Sequence, residues 1–179
     1  QGIQLPLLNP LTKGISFVSS TIPAVIIVAL LAGSLWALRR RLEAIFVVSL
    51  TGSAVLINWL LKLLVGRPRP SVQLIQVSVE SGGLSFPSGH TVYAVVGYGF
   101  LFYLMPRLVK QPAIICFLRS LLILLILLTP ASRIYLGAHW FSDILGSLLL
   151  GGLLLAPAIS MYHNICQKKL KRISGDNNA

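Results

Sequence analysis

Three short stretches of this chain combine cations, imidazoles and a carboxylate at spacings that suit phosphate chemistry. Lys62 is followed seven residues later by Arg69 and Pro70. Pro87-Ser88-Gly89-His90 comes next, and Ser132-Arg133 is followed by His139 and Asp143. A phosphate ester must have its oxygens neutralised before a nucleophile can approach phosphorus, by a metal or by Arg, Lys and oriented N–H groups. The stretches hold one carboxylate, no Cys–His cluster and no histidine pair at ligand spacing, so a metal site and a cofactor are not expected. Lys62, Arg69 and Arg133 are the cations for such a cradle, Arg as a planar fork and Lys as a point charge. Ser88 stands where a helix N-cap would, and Gly89 lets backbone approach an anion closely. His139 and Asp143 are four apart and would share a helix face, so the carboxylate can hold one ring nitrogen and leave the other free to attack. His90 would then protonate the leaving oxygen.

The elements that must position these groups are apolar. Of 179 residues, 55% are hydrophobic and only 11% are charged, with a mean hydropathy of +0.84. An ordinary soluble domain carries about 25% charged residues, so a membrane bundle is expected. The fold class read from this pattern is all-α, a polytopic bundle of transmembrane helices. Five spans are expected, at Thr21 to Leu38, Ala44 to Val65, Ser88 to Met105, Leu118 to about Pro130 with a continuation to Tyr135, and Trp140 to Tyr162. The length allows a single domain, 1–179. Within it, residues 1–20 read as an interfacial amphipathic segment and Ser174 to Ala179 as a disordered end.

Arg39, Arg40, Arg41, Arg107, Lys110, Arg119, Lys168, Lys169, Lys171 and Arg172 fall in one set of connections, ten of the 15 basic residues. That bias marks the cytoplasmic side and places all three chemical stretches on the other. Five spans with a cytoplasmic tail leave Gln1 outside, so a sixth span before Gln1 is expected. The net charge of +11 does not read as a nucleic-acid surface, because no basic face is interleaved with exposed aromatics.

Other residues read as structural. Cys116 and Cys166 are buried or membrane-facing thiols without ligand spacing, and His163 is interfacial. Tyr135 and Trp140 are interfacial anchors, and Asn58 is a helix–helix hydrogen-bonding residue. Arg67 reads equally as a phosphate contact or a solvated loop charge. Glu80 belongs to a polar loop, Ser71 to Leu84, that could roof the site.

These residues resemble the signature of the type-2 phosphatidic acid phosphatase superfamily, K-x6-RP, PSGH and SR-x5-H-x3-D, with no departure between Lys62 and Asp143. The resemblance implies a six-helix membrane fold and metal-independent hydrolysis of a lipid phosphate or diphosphate through a phosphohistidine. It implies His139 as nucleophile, Asp143 as its orienting partner and His90 as acid, with Lys62, Arg69, Ser88, Gly89 and Arg133 binding phosphate. The small chain looks like bacterial phosphatidylglycerophosphate, undecaprenyl-diphosphate and lipid A phosphatases, with a site facing the periplasm or exterior of the cytoplasmic membrane. A phosphotransferase passing the phosphoryl group to a second lipid is the nearest alternative. A non-enzymatic anion or lipid transporter would spread its cations along several helices rather than gather them at one face. The vanadate haloperoxidases of the same superfamily lack such spans. Headgroup, chain type and oligomeric state stay open at this level.

Overall fold

A computed structural model describes residues 8–71 and 82–176. All regular elements among them are helical: α1 Leu8–Val18, α2 Thr21–Ala37, α3 Arg41–Val65, α4 Gly89–Tyr93, a π-helical turn Ala94–Tyr98, α5 Gly99–Leu108, α6 Pro112–Tyr135 and α7 Phe141–Asp176. The run from α4 through the π turn to α5 is one span, Gly89–Leu108. With α3, α6 and α7 it makes four helices long and apolar enough to cross a membrane. The bent pair Asn9–Val18 and Ile22–Ala37, angled by 48°, would be the fifth as a single unit. α2 alone has 17 residues, short of the roughly 20 that a hydrocarbon core requires.

Helix ends follow from sequence. α3 stops at Gly66, whose left-handed φ of 63° caps the helix while its N–H donates to the Lys62 carbonyl at 2.9 Å. Pro68 and Pro70 then hold the chain extended, which throws Arg67 and Arg69 beyond the helix end. α6 opens with Pro112 at its first position, where the missing N–H costs nothing. It runs longer than the apolar stretch predicted for it because both end charges are accommodated. Arg119 donates to the Phe102 carbonyl at 3.2 Å with its guanidinium over the Phe102 ring, and Arg133 is buried among polar groups. Gly137, at φ 69°, makes the left-handed turn after α6 that leads to His139.

Two helices run towards one end of the bundle, α3 and α6; Gly89–Leu108 and α7 run away from it. Lipid tails are as apolar as leucine, so helices in a bilayer associate through close packing and polar contacts rather than hydrophobicity. A Cβ at Gly151 of α7 would lie 2.7 Å from Cβ of Val95, and one at Gly146 would run into the Phe86 ring. These glycines bring α7 against the backbone that carries Ser88 and His90. At the far end Phe46, Phe100 and Tyr162 form edge and stacked pairs with centroids 5.3–5.9 Å apart. The Tyr162 hydroxyl donates to Glu43 at 3.1 Å, and Arg107 lies over Tyr103 and Tyr162.

The polar side of α1 is divided, with Lys13 exposed and Ser16 buried. Ser16 and Ser19 are buried against α6, Ser19 at 3.0 Å from Thr129 Oγ1 and 3.4 Å from the Tyr98 hydroxyl. α7 is helical through Asp176 despite Pro157 and Gly175, so Ser174–Asp176 of the expected disordered end belong to the helix. Residues 1–7, 177–179 and most of the Ser71 to Leu84 loop, Glu80 included, lie outside the described residues.

Candidate active site

The end of α3, the start of α4, the end of α6 and the start of α7 converge, and every predicted site residue lies at this end. His139 is 3% exposed and Asp143 fully buried, so neither is a solvated surface group. His139 sits in the turn before α7 rather than on it, which corrects the expectation of one shared helix face. The cause is Asp143, whose Oδ2 accepts the Trp140 N–H at 2.9 Å and so closes the helix start at Trp140. An acid in the third helical position reaching back in this way satisfies an otherwise orphaned N–H and complements the dipole.

The imidazole is held mainly by backbone rather than by the expected Asp143 carboxylate. Asp143 Oδ2 is 3.6 Å from His139 Nδ1, too long for a hydrogen bond. Nδ1 instead lies 2.8 Å from the Ser85 carbonyl oxygen. A carbonyl only accepts, so Nδ1 carries the proton and Nε2 keeps its lone pair. Arg69 Nη1 is 3.3 Å from that Nε2 and also donates to the Ala138 carbonyl at 2.8 Å. Burial first, then the charges of Arg69, Arg133 and Lys62, push the His139 imidazole from 6.5 down to about 2, with the Ser85 hydrogen bond opposing. It is a neutral base at physiological pH. Burial also lowers Arg69 from its usual value, with Asp143 acting the other way.

The three cations meet at His139 from three elements. Lys62 Nζ donates to the Leu84 carbonyl at 2.7 Å, and Arg69 Nε donates to the carbonyls of Gly82 and Gly83 at 3.1 and 3.3 Å. Arg133 is 4% exposed and donates to Ser16 of α1. His90 lies in the field of the same Arg133, Arg69 and Lys62. Ser88 does not cap its helix through its side chain. Its hydroxyl accepts from Thr91 Oγ1 at 3.2 Å and its N–H donates to Ser147 Oγ at 2.7 Å, so that N–H is already engaged by α7. Gly89 borders Asn58, one turn before Lys62; a Cβ there would lie 3.4 Å from Asn58 Nδ2. Asn58 is buried and its Oδ1 has no partner among the described residues, so it makes no helix–helix bond of the kind expected.

Arg67, read equally two ways, is paired with protein. Its Nη1 donates to Asp143 Oδ1 and to Ser142 Oγ, each at 2.7 Å. Trp140 Nε1 donates to the Pro68 carbonyl at 3.1 Å, tying the Arg67–Arg69 strap to the start of α7. Ser85 and Ser147 were missed altogether. Nothing distinguishes a serine two positions before Pro87, or one in an apolar helix, until tertiary contacts are known. The spacing of Asp143 and Ser147 at i and i+4 was the available signal: Ser147 Oγ donates to the Asp143 carbonyl at 2.6 Å.

Residues 42–166 match the family model of the PAP2 superfamily, a range that contains all the site residues above. Phosphatidylglycerophosphatase B of Bacillus subtilis (strain 168) is 29% identical over 157 residues, covering 85% of this chain and 74% of that protein. The crystal structure of a transmembrane PAP2-type phosphatidylglycerolphosphate phosphatase from Bacillus subtilis superposes with a TM-score of 0.82 at 26% identity. It covers 91% of this chain and 80% of the other. With a helical membrane fold and a cationic site around two histidines, the chain belongs to the PAP2 superfamily and is a membrane enzyme that hydrolyses lipid phosphates.

Proposed function

We propose that this enzyme removes the terminal phosphate of phosphatidylglycerophosphate through a phosphohistidine on His139. The observation that carries the reading is a buried, neutral imidazole with Nδ1 bonded to a carbonyl and Nε2 among three cations. Nε2 attacks phosphorus as the ester P–O bond breaks, and His90, which takes up a proton once the bound phosphate dianion offsets the surrounding cations, gives that proton to the departing alkoxide. Water then attacks phosphorus as His90 takes its proton, the P–N bond breaks with its electron pair returning to Nε2, and inorganic phosphate leaves. Lys62, Arg69, Arg133, Ser88 and Gly89 stabilise the charge on the phosphoryl oxygens, and Asp143 fixes the site. General acid catalysis of this kind contributes about 10²–10⁴-fold.

The site end lies opposite the basic ends of α3, α5 and α6, which supports a site on the non-cytoplasmic face. The substrate's acyl chains would remain among the lipid-facing helices and supply binding energy of about 0.8 kcal/mol per buried CH2. The headgroup assignment rests on likeness to the Bacillus phosphatases. Phosphate release by the purified protein from phosphatidylglycerophosphate, phosphatidate and undecaprenyl diphosphate tests it. We expect the highest kcat/KM on phosphatidylglycerophosphate; a higher value on either of the others refutes the headgroup.

A further inference from the structure

We infer that Asp143 orients the nucleophile through Ser85, making Ser85 a positioning residue of the reaction. All three polar groups of this fully buried serine are engaged. Its N–H donates to the Arg67 carbonyl at 2.8 Å, its hydroxyl donates to Asp143 Oδ2, and its carbonyl oxygen accepts from His139 Nδ1 at 2.8 Å. The contacts close a ring. The Arg67 guanidinium holds Asp143 Oδ1, Asp143 holds the Ser85 hydroxyl, and the Ser85 N–H returns to the Arg67 backbone.

Within one residue the hydroxyl and the carbonyl are joined by few soft torsions. A serine fixed at its nitrogen and its Oγ therefore presents its carbonyl in one direction, and that direction sets the His139 ring. The carboxylate that would otherwise touch His139 is already engaged by Arg67, Ser85 and Trp140, and stands 3.6 Å from the imidazole. Its influence reaches the ring along the Ser85 backbone. Phe86 and Pro87 separate Ser85 from Ser88, so the same anchor keeps the cradle and the nucleophile in register.

The inference rests on His139 being the nucleophile and is tested by a double-mutant cycle on phosphate release. Ser85→Ala keeps the carbonyl and removes the hydroxyl. It should lower kcat by on the order of 10–100-fold with KM within about threefold, the scale of a displaced reacting group. In the Ser85→Ala background, Asp143→Asn should cost about threefold or less, although it costs far more in the wild type, because groups acting along one path are non-additive. The ring ¹⁵N signals should show that Ser85→Ala loses the single Nδ1–H tautomer of His139. If Ser85→Ala fails to bind lipid, Ser85→Cys, similar in size with a weaker donor, carries the same cycle. An equal cost of Asp143→Asn in both backgrounds, or wild-type kcat in Ser85→Ala, overturns the inference. Phosphate release retained by His139→Ala would instead overturn the nucleophile reading, a separate signature.

Discussion

At the scale of single residues, the tautomer of His139 decides whether it can serve as the proposed nucleophile. Unfolded histidine takes up its proton near 6.5, whereas the folded ring resists it down to about 2. Unfolding therefore takes up a proton below about pH 6.5, and the native state loses this part of its stability as pH falls from there towards 2. Above 6.5 the contribution is complete. In the ligand-free protein, ¹⁵N spectra should show a neutral His139 with Nδ1–H from pH 8 down to pH 5. A titration midpoint between 6 and 7 would contradict the packing of Arg69, Arg133 and Lys62 around it. Much of this chemistry is legible in the sequence, because charges and imidazoles stand out in so apolar a chain. What is not legible is which atom touches which. The Asp143–His139 spacing suggests a direct bond, and only the fold shows that Ser85, 58 positions before Asp143, stands in that place.

At the scale of elements, α7 and the Gly89–Leu108 span must lie close for His139 and His90 to address one phosphate. Gly151 permits that approach against Val95, a β-branched residue on the π turn with little freedom to move. Gly151→Ala should destabilise the protein by about 1–3 kcal/mol, as overpacking does. Unfolding in detergent would measure the loss, and a variant as stable as wild type would show that the helices separate freely. The spans α3, Gly89–Leu108, α6 and α7 follow from apolar runs and glycine or proline stops, and so were legible, whereas α2 was expected to cross without α1. The docking of α1 was not, because residues 1–20 read as an interfacial amphipathic segment and nothing marks Ser16 and Ser19 as buried. Their partners, Arg133 and Thr129, are more than a hundred residues away, and a buried polar seam looks like a solvated one until both sides are known. The π turn Ala94–Tyr98 also has no sequence signature here, since its residues suit an ordinary helix.

At the scale of the molecule, charge and apolar surface divide the protein. Large side chains such as Leu121, Leu124 and Leu127 of α6, and Leu149 and Leu153 of α7, are exposed, which is costly in water and natural in a bilayer. Arg39–Arg41, Arg107 and Arg119 lie at the end away from the site, and by the positive-inside rule this supports the proposed outward-facing site. With Cys116 and Cys166 replaced by serine, a membrane-impermeant maleimide should label Ser71→Cys in intact cells and Lys110→Cys only after lysis. The reverse pattern would place the site in the cytoplasm. A phosphatase so oriented meets lipids of the outer leaflet, and that constrains which substrate can reach it.

A covalent phosphoryl group on His139 can be trapped by rapid quenching with phosphatidylglycerophosphate ³²P-labelled in its terminal phosphate. The phosphoramidate bond survives alkali and breaks in acid, so label should stay on the wild-type chain after an alkaline quench and be lost on acidification. A phosphohistidine at this position also requires that His139→Ala show neither label nor phosphate release. Phosphate release continuing in His139→Ala, or label mapping to another residue, would contradict it.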